Sequence, residues 1–270
     1  MAKKLIRFGN GLITFVEIAA ILAAMLYSGY ALWDNHQVYT EVENATRGLR
    51  EIKNLSGDEP ISMFAQLRFI NRDVTSWITM DNTAIDYPVL KGTSNFTYIN
   101  KNVYGDFALA GSIFMDFRNS ADFSDLYTLL LGHDMTGHRM FSDVNLYKDP
   151  DFFRTNQTGT LTLPDGEHPL LTISCMVTSA GNSLIFNPQN WRSATPERIL
   201  RYVQEDMMHV NPKGLETLKA MLAAGMDVHI VALSTCSGEF SEARTVLLTL
   251  MDPVSIPAVI INGHAGECFE

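Results

Sequence analysis

The run LITFVEIAAILAAMLYSGYALW, from Leu12 to Trp33, constrains the rest of the chain more than any other feature. As a helix rising about 1.5 Å per residue it is long enough to cross a hydrocarbon core of about 30 Å. Its one charge, Glu17, lies toward the basic end. The run exceeds the ~7–15-residue apolar core of a cleaved secretory signal, and no small-x-small cleavage site precedes Asp34, so it reads as an uncleaved anchor. Lys3, Lys4 and Arg7 put the preceding end in the cytoplasm, while Tyr27, Tyr30 and Trp33 form an aromatic belt at the far interface. The expected organisation is therefore a cytoplasmic basic tail over 1–11, a transmembrane anchor over 12–33, and everything beyond facing outward. The expected location is the cell membrane, in a single pass, with the main domain extracellular.

Residues 34–75 read as a helical stalk followed by N-terminal helices. Phe64, Leu67 and Ile70 fall at helical spacing in EPISMFAQLRFI, and Pro60 stands near its start. From Trp77 the texture changes. Short apolar segments such as AIDYPVL, GSIFMDF, LYTLLLG, LLTISCMV, DVHIVALST and TVLLTLM alternate with turn-rich stretches, the pattern of an all-β barrel or sandwich over 76–270. One helical segment interrupts it, TPERILRYVQEDMMHVN. There Thr195 is placed to cap a helix that opens on Pro196, and Ile199, Val203 and Met207 share a stripe. A 46% hydrophobic content suffices to fill the core of such a domain. Against 30 acidic residues there are 20 basic ones, and the net charge of −10 repels polyanions, which sets nucleic acid aside as a partner. No His/Cys/Asp cluster has metal-ligand spacing, and neither a metal nor an organic cofactor is expected.

The chain has three cysteines. Cys175, inside LLTISCMVT, reads as a small buried hydrophobe. An extracellular setting permits a disulfide between Cys175 and Cys268, but nothing in the spacing requires one. Cys236 is different, because it ends the apolar run DVHIVALST and opens a polar loop. A reactive cysteine works as the thiolate, and a thiol of ordinary pKa ~8.5 needs a base or cation beside it. His133 also stands just past a strand-like run, in LYTLLLGHDM, so two strand ends can bring it to Cys236 at one barrel rim. His138 lies in the same loop, five residues further from the strand. Arg244 opens the next apolar run, where a chain turning back after Cys236 returns it to the cysteine. Its guanidinium cannot act as a base and serves as donor and positive charge for an oxyanion or a substrate carbonyl.

These residues resemble those of the sortases, membrane-anchored cysteine transpeptidases of Gram-positive bacteria. ALSTC is similar to the family's T-L-x-T-C signature with alanine in first place, and GHDM to its histidine motif. The stretch WITMDNTAIDYPVLKGTSNFTYINKNVYGDFALAGSIFMDFRN resembles class B sortases in particular, as do the helices before the barrel and the helix-bearing connection before the cysteine strand. The resemblance runs from about Met63 to Leu250. It implies a mostly antiparallel sortase β-barrel over 76–270, with Cys236 as nucleophile, His133 as general acid/base and Arg244 as the oxyanion or substrate-orienting residue. Asn95, Ile99, Ile185, Ser234 and Thr235 align with positions lining the sorting-signal groove. The implied reaction is cleavage of a C-terminal sorting signal after threonine through a thioacyl intermediate on Cys236. Transfer then goes to an amine, either of a peptidoglycan precursor, which anchors a surface protein, or of a pilin lysine, which polymerises a pilus.

Two departures stand out. Class B enzymes can carry an acidic residue two places after the cysteine, where this chain has Gly238, and the cysteine-to-arginine spacing is shorter than in some members. Glu239 is a candidate substitute carboxylate or else a solvated loop charge. The segment FNPQNW, Phe186 to Trp191, resembles asparagine-proline sorting signals but lacks the threonine and a following hydrophobic span, and is read as coincidence. Two rival readings are a membrane-anchored cysteine peptidase with water as acceptor and a non-catalytic surface binding module.

Overall fold

The computed structural model describes residues 2–57, 59–239 and 241–253. Cys268 lies outside them, so its pairing with Cys175 does too; Cys175 itself is wholly buried, as a packing cysteine should be. The chain divides between Ala45 and Thr46 into two compact units. In the first, most of α1 (Ala2–Ser56) is a helix whose stretch Ile13–Trp33, 21 residues of mean hydropathy 1.7, is long and apolar enough to cross a membrane. Its large apolar side chains, Phe15 and Leu26 among them, are exposed.

In the second unit, the last turns of α1 and α2 (Pro60–Ile70) pack on the sheet. Pro60 stands in the first helical turn, where its missing N–H costs nothing, and Met63, Phe64 and Leu67 form the buried face. They meet Leu49, Trp77, Leu90, Tyr98 and Phe114 in one hydrophobic cluster.

The strands follow in order: β1 (Val74–Met80), β2 (Asp86–Leu90), β3 (Ile113–Met115) and β4 (Tyr127–Leu131). A small hairpin, β5 (Asp134–Met135) and β6 (Arg139–Met140), leads to a 3₁₀ helix over Ser142–Lys148 and to α3 (Pro150–Thr155). Then come β7 (Thr158–Leu163) and the long β8 (Gly166–Ser179). The connection to the last two strands carries α4 (Ser183–Phe186), a 3₁₀ turn over Pro188–Trp191, α5 (Pro196–Tyr202), β9 (His209–Val210) and α6 (Pro212–Ala223). It ends in β10 (His229–Cys236) and β11 (Ala243–Met251).

The sheet order is β11-β10-β4-β3-β2-β1-β7-β8, and pairing of β8 with β11 closes these strands into a barrel, with β9 added at the edge of β8. All neighbours are antiparallel except β2–β3 and β4–β10. The cysteine strand is thus paired on one side with its hairpin partner β11 and on the other, in parallel, with β4. The long connection covers one outer face. Tyr127 and Trp191 stack with ring centroids 4.4 Å apart, and Ile185, Ile199, Val203, Leu218 and Met221 pack with Ile173, Ala232 and Val246. With helices outside and side chains filling the barrel inside, β10 and β11 are buried on both faces, which is why they read as unbroken apolar runs.

The helix expected from Thr195 is present, capped by the Thr195 side chain and opened by Pro196, but it is shorter than its apolar stripe suggests. Val203 already leaves it, Asp206 takes a positive φ, and the chain turns into β9 against β8. Ile199 and Val203 are buried even so.

Candidate active site

Strand pairing sets the site. In the β4–β10 ladder Leu131 lies opposite Ser234, and the Gly132 N–H donates to the Ser234 carbonyl at 3.2 Å, carrying the ladder past the end of β4. His133 and Cys236 each stand two residues beyond that Leu131–Ser234 pair, so they leave neighbouring parallel strands at the same level. Adjacent strands lie roughly 4.8 Å apart. On the other side Cys236 is directly paired with Arg244, and Arg244 with Thr178 of β8. The rim of the barrel therefore reads His133, Cys236, Arg244, Thr178 across four neighbouring segments, and the first three are half-buried. His133 and Cys236, 103 places apart in sequence, come to one level here because the parallel β4–β10 pair joins distant parts of the chain.

Among the described residues the His133 ring is held by one bond, from Nε2 to the carbonyl of Ile99 at 2.8 Å. A carbonyl can only accept, so Nε2 carries the proton in this arrangement. The other histidine of the loop is committed elsewhere. His138, largely exposed and at positive φ in the β5–β6 turn, has Nδ1 2.6 Å from the buried Asp143, whose second oxygen accepts the Ala84 N–H at 2.7 Å. Arg244 donates from Nη1 to the Ala243 carbonyl at 3.0 Å, and among the described residues it has no carboxylate partner.

Glu239 is engaged by residues other than the histidine. It accepts from Lys148 at 2.7 Å and from the Ser237 hydroxyl, and the Lys148 and Ser237 bonds hold its carboxyl below the usual range. Lys148 also donates to Ser237 Oγ at 3.2 Å, so the 3₁₀ helix clamps the loop that follows the cysteine. Asn145, on the same 3₁₀ helix, donates from Nδ2 to the Cys236 carbonyl at 3.1 Å and accepts from the Thr245 hydroxyl at 2.5 Å. Neither Asn145 nor Lys148 carries a signal in the sequence, since each is an ordinary polar residue in an irregular segment.

The remaining candidates divide into two groups. Ile99 lies beside His133 and contributes its carbonyl. Asn95, in the same loop, is locked at both ends: Nδ2 donates to Asp116 at 2.8 Å and Oδ1 accepts the Phe117 N–H at 3.0 Å. Asp116 is wholly buried; burial pushes its carboxyl up, but Arg118 and Asn95 outweigh that and hold it below the usual range. Arg118 reaches on to the Phe186 carbonyl at 2.6 Å and to Asn187 at 3.0 Å. This network ties the Asn95 loop to the α4 segment, where the Ile185 carbonyl accepts from Tyr127 at 3.0 Å. The Ile185 side chain is fully buried in the core under the helical connection. Ser234 and Thr235 are likewise buried, and among the described residues neither hydroxyl has a partner. These three reach a ligand only through backbone groups or after a shift of the covering segments.

No protein-family model matches the chain. Among known proteins it is 33% identical over 145 residues to sortase B of Listeria monocytogenes, a match covering 51% of this chain and 58% of that protein. It is 24% identical over 252 residues to sortase B of Staphylococcus aureus, covering 90% of this chain and 97% of the relative. Among solved structures, a Streptococcus pyogenes class B sortase involved in pilus biogenesis superposes with a TM-score of 0.61 at 30% identity, covering 70% of this chain and 97% of that one.

Proposed function

This chain belongs to the class B sortase family, and from that premise we propose that it is a membrane-anchored cysteine transpeptidase that cleaves a threonine-containing sorting signal and passes the acyl group to an amine. The observation that carries the reading is the rim register: His133, Cys236 and Arg244 emerge side by side from adjacent segments of the barrel. In this mechanism the Cys236 thiolate attacks the threonyl carbonyl carbon, and the Arg244 guanidinium donates hydrogen bonds to the oxygen that becomes negative. As the C–N bond to the next residue breaks, His133 gives its proton to the departing amine, leaving a thioester on Cys236. An incoming amine loses its proton to His133 and displaces the thiolate. With Nε2–H engaged by Ile99, Nδ1 is the ring nitrogen that exchanges these protons.

Placement of the cysteine at the end of β10 separates this reading from a papain-type peptidase, in which the nucleophile sits on a helix. Two amines fit the acceptor role, that of a peptidoglycan precursor and a pilin lysine. Similarity to a class B sortase involved in pilus biogenesis supports the lysine. The span Ile13–Trp33 supports anchoring, and the basic residues Lys3, Lys4 and Arg7 before it support a barrel outside the cell.

The test compares turnover of a quenched peptide carrying an asparagine-proline-x-threonine signal with labelling of Cys236 by a small electrophile. Cys236→Ala loses both. His133→Ala loses most of both, because the thiolate and the leaving amine each lose their partner. Arg244→Ala keeps labelling while turnover falls by roughly 10²–10³-fold, the usual effect of one lost oxyanion donor. Wild-type turnover in His133→Ala with loss in His138→Ala would contradict the assignment.

A further inference from the structure

The segment that follows His133 reaches back to the cysteine through one side chain. After β5 and β6 the chain enters the 3₁₀ helix Ser142–Lys148, and Asn145 points from it to the β10–β11 pair. Its amide is used at both ends. Nδ2 donates to the carbonyl of Cys236 itself at 3.1 Å, and Oδ1 accepts from Thr245 Oγ1 at 2.5 Å. Thr245 is the residue after Arg244 and lies opposite Thr235, the residue before Cys236. One amide thus holds the two strands at the level where the cysteine and the arginine stand, and ties them to the segment that begins at the histidine.

The polarity of these bonds fixes the orientation of the amide. A threonine hydroxyl can donate or accept, but the Cys236 carbonyl only accepts, so the NH₂ end must face the cysteine and the oxygen must face Thr245. An aspartate would present an oxygen to the carbonyl and a negative charge near the thiol; an alanine would leave the carbonyl without its donor.

We propose that Asn145 is a positioning residue for the reaction, holding Cys236 and Arg244 in register with His133 through its bonds to the Cys236 carbonyl and Thr245. The proposal rests on the reading of Cys236 as the reacting thiol. It extends that reading, since Asn145 touches no reacting atom and acts through the residues that do. It also gives the 3₁₀ helix a role, because Lys148 on the same helix fixes the loop beyond the cysteine through Ser237 and Glu239.

The experiment uses the full chain in detergent micelles with the asparagine-proline-x-threonine peptide as probe. Alkylation of Cys236 by iodoacetamide is followed across pH on the Cys236 peptide by mass spectrometry. Asn145→Ala is expected to lower kcat by roughly 10–100-fold, the scale of a reacting group displaced by about an ångström, with KM within about twofold. Asn145→Asp is expected to do the same and to move the alkylation midpoint to higher pH, because a nearby negative charge disfavours the thiolate. Thr245→Val, which removes the hydroxyl that orients the amide, should lose part of kcat, and Thr245→Ser should recover most of that loss. Wild-type kcat together with a wild-type alkylation profile in Asn145→Asp would overturn the proposal. Should the Asn145 variants fail to fold, the Thr245 pair decides: equal kcat in Thr245→Val and wild type overturns it. If the wild-type chain shows no peptide turnover, the transpeptidase reading fails, and the alkylation midpoint of Asn145→Asp still decides whether Asn145 governs Cys236.

Discussion

His133 is held by an acceptor whose position depends on a residue with no side chain. Gly111 sits at φ +59°, and a Cβ there would strike the backbone carbonyls of Ile99 and Tyr98. The first of these is the acceptor for His133 Nε2. Gly111→Ala therefore adds strain of about 1–3 kcal/mol and also pushes away the atom that orients the ring. The expected result is a lower melting temperature with a kcat loss of more than about tenfold in the molecules that remain folded. A variant that is less stable but has full kcat would show that the Ile99 bond does not orient the histidine. The three candidate catalytic residues were legible in the sequence because each stands where an apolar run meets a polar loop. Ile99 was legible only as a groove residue by resemblance; its carbonyl carries the bond, and backbone acceptors leave no trace in residue identity. Asn145 and Lys148 were not legible at all, since their partners lie 91 residues away and a 3₁₀ segment has no usable periodicity.

At the scale of elements, two carboxylates, the half-buried Asp86 and the buried Asp116, hold the segments around the barrel. Asp86 takes Lys53 at 2.7 Å, the Trp77 indole at 2.6 Å and Arg50 at 3.0 Å, so the end of α1 is fixed to β1 and β2. Asp116 and Arg118 fix the Asn95 loop to the α4 segment. Burial raises both carboxyls, but hydrogen bonds from Lys53 and Trp77 in one case, and from Arg118 and Asn95 in the other, leave them below the ordinary 3.8. A depressed folded pKa stabilises fully above the unfolded value and loses that stabilisation as pH falls through the folded one. The melting temperature should therefore drop steeply below about pH 4. Asp116→Asn, which takes the carboxylate charge from Arg118, should cost about 3–5 kcal/mol near neutrality, and the gap to wild type should narrow in acid. A gap that stays constant from pH 7 to pH 3 would show that the pair contributes nothing through its charge. The sequence showed α2 and the start of α5 because capping and proline chemistry are local. It did not show α6 or β9, and its strand pattern left barrel and sandwich open, the family resemblance alone implying the barrel, because the β8–β11 pairing that closes it joins segments distant in sequence.

At the scale of the whole molecule, every group assigned to the chemistry lies from Asn95 onward, in the unit that begins at Thr46, while the apolar span lies in the unit before it. Removing residues 1–34 should give a protein that leaves the membrane fraction and still cleaves peptide; a truncated chain that remains in membranes would show that the span is not the anchor. Passage of the acyl group through Cys236 can be followed by intact-mass spectrometry. The chain is mixed with an excess of the sorting-signal peptide in the absence of an amine acceptor and quenched in acid. The expected product is a species heavier by the peptide fragment ending in threonine, mapped to Cys236, lost on adding an amine and absent from Cys236→Ala. Cleavage of the peptide by Cys236→Ala, or a trapped fragment mapped to another residue, would contradict it.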